Sequence, residues 1–398
     1  MKYSRDRILT THVGSLPRPQ SLLDILLKQF EGDDYDDAAL ESLLAEVVRD
    51  IVAKQVAAGI DVVSDGEMSK SSYAFYVKHR LGGVGQRGDV AGDIPKAAPN
   101  RDLLDHPDFE IQQRQARWRM TGSKGGSFNT GPSLPACTGP ISYADFGPLQ
   151  RDLSNLQAAA TVAKPVETFM NAASPGVLTK FVPDAFYHDE DRYVADLADA
   201  MKDEYEAIYQ AGLLLQIDCP DLASARHNQY QDLTDEGFLR IAERNVEALN
   251  HATQNIPGEA MRMHICWGNY EGPHTHDISL LKVLGICMKA RPQALLFEGA
   301  NPRHEHEWED LAEIDIPDDK VLIPGVIDST TNFVEHPRLV AQRICRYANI
   351  VGRERVIAGT DCGFSTIAGP IQQVVPSVTW AKLSALAEGA AIASERLW

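Results

Sequence analysis

Short apolar or β-branched runs recur along the chain, each giving way to polar residues or glycine and then to a longer stretch with apolar positions at helical spacing. The runs predict strand ends at Thr11–Ser15, Asp61–Glu67, Pro175–Thr179, Leu214–Pro220, Met261–Gly268, Ala294–Gly299, Val321–Asp328 and Val356–Cys362. Residues 38–58 place Leu43, Leu44, Val47, Val48, Ile51 and Val52 at helical spacing. Similar patterns predict helices over 191–211, 236–252 and 337–351, the last closed by Gly352. Eight strands, each followed by a helix, make the pattern of an α/β protein built as a (β/α)8 TIM barrel. An open doubly wound sheet is the competing arrangement, but no GxGxxG follows the first strand to support its nucleotide-binding form.

Residues about 80–135 break the alternation with many Gly, Pro, Arg and Asp residues, and are read as an insertion after the second βα unit. Roughly 55 residues are marginal for an independent core. Residues 1–398 are therefore read as a single barrel domain, and a hydrophobic fraction of 44% is enough for one large interior. A net charge of −18 disfavours nucleic acid and anionic membranes as partners and leaves small molecules. The start, MKYSRDRILTTHVGS, lacks the apolar stretch of a signal peptide, and no later run approaches the ~20 apolar residues of a membrane span. A cytoplasmic location is expected. The six cysteines are sparse and irregularly spaced, which argues against a disulfide framework and leaves reduced thiols as ligands.

In such a barrel, catalytic groups converge from the carboxyl ends of different strands. Here those ends are rich in ligand chemistry: His264-Ile-Cys266, whose alternation puts both side chains on one side, then Glu298, then Cys362. Two thiolates, an imidazole and an exchangeable carboxylate suit Zn2+. Trp267 and Asn269, directly after the ligand pair, are expected to line a substrate pocket.

The segments TTHVGSLPRP, SDGEMSKSSY, KPV…SPGVLT, LLQIDCPDLA, HIC, FEGA and GTDCGF together resemble the catalytic barrel of the cobalamin-independent methionine synthase family, over nearly the whole chain. The chain is similar in length to the short single-barrel relatives, which include epoxyalkane:coenzyme M transferase. The resemblance implies a zinc-dependent methyltransferase that activates homocysteine or a similar small thiol as zinc-bound thiolate. The methyl donor would be 5-methyltetrahydrofolate or another. The family's zinc ligands fall on His264, Cys266, Glu298 and Cys362, with Glu298 expected to exchange for the incoming thiol. Its amino-acid-binding groups fall on the Gly14-Ser15 turn, Glu67 and Asp218, the carboxylates facing an ammonium. Glu298 and Asp218 are the expected catalytic carboxylates.

Two departures stand out. The chain reads Asp218-Cys219-Pro220 where the family commonly reads Asp-Glu-Pro, and Thr330 stands at the position of the family's catalytic histidine. An alternative reading is therefore a zinc-dependent thiol alkyltransferase or lyase of the epoxyalkane:coenzyme M transferase type. An alternative of another class is a non-catalytic zinc-containing barrel that binds a metabolite. His274, His276, His304 and His306 form two HxH-like patterns read as solvated loop chemistry rather than a second metal site, and Cys219, Cys287 and Cys345 as inert buried cysteines.

Overall fold

The computed structural model describes residues 1–90, 100–113, 134–368 and 373–398. Strand β1 (Leu9–Thr10) pairs in parallel with β10 (Ile357–Thr360). The ring continues through β9 (Val321–Ile327), β8 (Ala294–Phe297), β7 (Met261–His264), β6 (Leu214–Asp218) and β5 (Glu167–Ala173) to β2 (Val62–Val63). A parallel bridge between Thr11 and Val62, and a bond from Asp61 N to the Thr10 carbonyl at 3.1 Å, join the two ends. The eight parallel strands thus form a TIM barrel, with no free edge between β1 and β2.

The helices form where the apolar spacing puts them. Asp37–Ala57 buries Leu40, Leu44, Val48, Ile51 and Val52, and is capped by Asp36, whose carboxylate accepts from Ala39 N at 3.0 Å. Helices Glu190–Gln210, Asp235–Ala252 and Pro337–Val351 likewise pack one face on the barrel. No helix among the described residues is long and apolar enough to cross a membrane.

The third strand is a correction. Pro175–Thr179, read as a strand end, lies in helix Pro175–Phe181, and the strand is Glu167–Ala173 just before it. The Ser174 hydroxyl accepts from Val177 N at 3.0 Å and Pro175 occupies the first turn, so the segment carries the start signal of a helix. A β-branched and apolar composition masked it.

The excursion lies inside the second βα unit, between β2 and helix Gly147–Ala163, and hence leaves from the carboxyl end of the strand. Its described base is an antiparallel pair of β3 (Leu81–Gln86) and β4 (Pro135–Tyr143). Residues 91–99 and 114–133 fall outside the described residues. Buried Arg80, at the foot of β3, ties the pair to the barrel's outer helices through Asp152 at 2.6 Å and Glu204 at 3.1 Å. The Tyr76 and Tyr143 hydroxyls complete the Glu204 carboxylate at 2.7 and 2.8 Å.

Candidate active site

The carboxyl ends of β7, β8 and β10 meet at one point. His264 ends β7 and Cys266 lies two residues on; Glu298 follows β8 directly; Cys362 lies two residues past β10. The donor atoms of His264, Cys266 and Cys362 all lie within 4.8 Å of one another, and all three residues are buried. Cys362 Sγ stands 3.7 Å from His264 Nε2 and 3.8 Å from Glu298 Oε1. Among the described residues this is the grouping that could hold a metal ion.

Each donor is aimed by a partner behind it. His264 Nδ1 faces Asp218 Oδ1 at 3.4 Å, which leaves Nε2 toward the two thiols. Asp218 is itself fixed by Gln216 Nε2 at 2.9 Å and Asn171 Nδ2 at 3.0 Å. Glu298 accepts from Trp267 N at 2.8 Å and from Asn301 Nδ2 at 2.7 Å. Asp361 fastens the turn after β8, accepting from Gly299 N, Ala300 N and Asn301 N, each at 2.9 Å. Its anion-binding cradle of three backbone amides holds Glu298 and Cys362 in register.

The electrostatics of the cluster are set by burial and by the closeness of its titratable groups. Burial pushes the Glu298 carboxyl up to about 7, with the Cys266 sulfur adding to the rise. The Cys362 thiol rises well above its usual value, first through its hydrogen bond to Cys266 and then through burial. The same bond lowers Cys266 to about 7, and the neighbouring carboxylates lift His264 to about 9 despite burial. Two sulfurs, an imidazole nitrogen and a carboxylate oxygen, desolvated together, fit a borderline-soft divalent cation such as zinc.

A cavity of about 340 Å³ opens beside this cluster, lined by Ser15, Glu67, Asp218, His264, Cys266, Asn269 and Cys362 among others. Glu67 sits in the left-handed region at φ 57°, a strained conformation for a residue with a side chain, next to Gly66 at φ 67°, which glycine adopts freely. Burial lifts Glu67 to about 7, with Lys70 opposing and Asp218 adding to the rise. One of its oxygens, Oε2, is buried with no hydrogen-bond partner among the described residues. Gly14 is required beside it: a Cβ there would stand 2.6 Å from Glu67 Oε1 and 2.5 Å from Asn171 Oδ1.

The structure brings most of the sequence-derived residues together and moves one away. Trp267 is fully buried, its indole tilted 31° against the His304 ring at 4.2 Å and bonded to the Ile278 carbonyl, so it packs behind the site and does not line the cavity. Asn269 lines the cavity but spends its amide on Gly363 O and Thr366 Oγ1, both at 2.6 Å, tying two loops together. Thr330 turns onto Asp328, its hydroxyl donating at 2.8 Å. In the histidine-rich loops the imidazoles face carboxylates: His274 and His304 bind Asp277, and His276 binds Asp105. Tyr270, which follows the ligand pair as Asn269 does, lines the cavity too, and the unforeseen lining residues include Tyr73, Lys180 and His227. Lys180 comes from the seven-residue helix Pro175–Phe181 and His227 from the turn Ser224–His227, both too short for periodicity to mark direction.

The chain is 23% identical to methionine synthase of Saccharolobus solfataricus over 394 residues, covering 98% of this chain and 95% of that protein. It is also 23% identical to 2-hydroxypropyl-CoM lyase of Xanthobacter autotrophicus over 424 residues, covering 98% and 96%. The resemblance is to the cobalamin-independent methionine synthase family. A B12-independent methionine synthase from a Shewanella species, solved with selenomethionine, has a similar fold, with a TM-score of 0.71 at 19% identity, covering 98% of this chain and 99% of that one. No protein-family model matches the chain. Both methionine synthase and the CoM lyase span nearly their full lengths here, so the likeness extends over the whole barrel, both ends included.

Proposed function

We propose that this chain transfers a methyl or other alkyl group to the sulfur of a small thiol, homocysteine or one like it. The carrying observation is the set of His264, Cys266 and Cys362 donors within 4.8 Å of one another on the wall of a cavity, with Glu298 3.8 Å from Cys362. His264, Cys266, Cys362 and Glu298 would hold zinc. Bound there, zinc would lower the pKa of a thiol ligand and keep it as thiolate at neutral pH.

The rest is done by the chain itself. Glu67 and Asp218 line the cavity as two buried carboxylates, and in this reading they take the substrate's ammonium between them. That pairing gives the unpartnered Glu67 Oε2 a donor. Ser15, also on the wall, offers its hydroxyl or backbone amide to the substrate carboxylate. Glu298, already held by Asn301 and the Trp267 amide, would be the zinc-holding group able to give way to a substrate sulfur. The Shewanella relative's complex with an amino acid thioether analogue, selenomethionine, supports a product of that class.

A second reading, alkyl transfer of the kind named for the Xanthobacter relative, is favoured by one observation. The Thr330 hydroxyl is committed to Asp328, so no imidazole stands at the position that would serve a folate leaving group. The test common to both uses iodomethane as a bare methyl donor. Zinc-loaded protein is expected to convert homocysteine to methionine faster than the uncatalysed reaction and to lose that advantage on chelation. No acceleration would contradict the proposal and favour a metabolite-binding barrel.

A further inference from the structure

One imidazole on the cavity wall has no part in holding a metal or a thiol. His227 closes the turn Ser224–His227 after β6, lines the same cavity as Cys266 and Cys362, and is 1% exposed. The turn is fastened to the ligand loop, Ser224 N donating to the Cys266 carbonyl at 3.2 Å. Behind the ring, His227 Nδ1 stands 3.1 Å from Asp277 Oδ1. The other Asp277 oxygen is held by His274 Nδ1 at 2.9 Å and His304 Nε2 at 3.0 Å, and His304 Nδ1 rests on Glu307 at 2.8 Å. Although burial opposes it, these imidazoles hold Asp277 far below the usual carboxylate range. Asp102 of the excursion also faces His227, and neighbouring Arg226 is paired with Asp235 at 2.8 Å.

His227 Nδ1 and Asp277 Oδ1 are close without meeting hydrogen-bond geometry, and a small turn of the ring would let Nδ1 donate to this carboxylate, which selects one tautomer and leaves Nε2 for exchange with the cavity. The geometry points to His227 as the proton donor to the leaving atom of the alkyl donor, with Asp277 as its positioning residue. This rests on the thiol-alkylation reading above and deepens it. In the step, a sulfur lone pair forms the new C–S bond while the C–O or C–N bond of the donor breaks. The released pair goes to oxygen or nitrogen, which takes the proton from His227 Nε2. The proton lost earlier by the acceptor thiol returns to His227 through solvent, so thiol plus donor gives thioether plus protonated leaving group. The donor class is therefore one with a basic oxygen or nitrogen leaving atom. Other wall groups are less suited: burial raises the Tyr73 and Tyr270 phenols above their usual range, and Tyr270 donates to Asp102 at 2.9 Å. Lys180, lowered to about 8 by burial, is the rival.

Two electrophiles decide. Iodomethane releases iodide, which needs no proton, whereas opening epoxypropane does need one. His227→Ala is expected to keep the iodomethane rate and lose epoxide opening by ~10²–10⁴-fold. Asp277→Asn should lose it in the same selective way. Equal losses with both electrophiles, a selective loss confined to Lys180→Met, or wild type inert to epoxypropane while active with iodomethane would each overturn the assignment. Wild type inert to iodomethane would instead remove the thiol-alkylation reading and this assignment with it.

Discussion

The grouping of His264 with Cys266 was legible in the sequence because a strand's alternation fixes direction: two residues separated by one share a side. Trp267, next in line, was misplaced for the same reason, since it falls on the opposite phase and packs against His304. Glu67 was found only through the resemblance; Asp65-Gly66 signals a turn, but nothing in the sequence signals that Glu67 after it is left-handed too. Glu67→Gln keeps the shape and removes the charge that would meet an ammonium. The expected result is a ~10–100-fold weaker affinity for homocysteine, from a lost charge-assisted hydrogen bond. Affinity for 2-mercaptoethanesulfonate, which has no ammonium, should hold or improve. Calorimetric titration of both thiols checks this, and equal weakening would count against the role.

At the scale of elements, the four long helices read from the sequence were placed to within a residue or so, since 15–21 residues of 3.6-residue periodicity average out local noise. The seven-residue helix Pro175–Phe181 was not: it is too short for periodicity, and only its Ser-Pro start betrays it. Its close packing was hidden too, for a Cβ at Gly176 would stand 2.1 Å from Asp221 Oδ2. The turn after β8 depends on one side chain from β10's end, Asp361, which holds three successive backbone amides. Asp361→Ala is predicted to loosen Glu298 and weaken zinc affinity by ~10–100-fold while the barrel stays folded. Competition with a zinc chelator, alongside circular dichroism, measures both, and unchanged affinity would refute the coupling.

At the scale of the whole molecule, ring closure was implied by the count of βα units, but the place of the excursion within the second unit was not, since composition marks a break without saying which strand or helix it interrupts. Closure also buries polar groups that set stability. His12, 1% exposed beside Gln55 at 2.7 Å, is held down to about 4 by burial, against about 6.5 unfolded. The unfolded chain thus binds more protons between these values. The contribution is complete above pH ~6.5 and is lost as pH falls through the folded value, about 3 kcal/mol in order of magnitude. Urea unfolding at pH 7 and pH 4.5 should show a smaller stability difference in His12→Asn than in wild type.

The central claim is that His264, Cys266, Cys362 and Glu298 hold zinc with one exchangeable place. Zinc X-ray absorption of the metal-loaded protein, before and after homocysteine, tests it directly. The account predicts two sulfur neighbours at first and three afterwards, with a light-atom neighbour lost. A protein that binds no zinc, or a sulfur count unmoved by homocysteine, would contradict it.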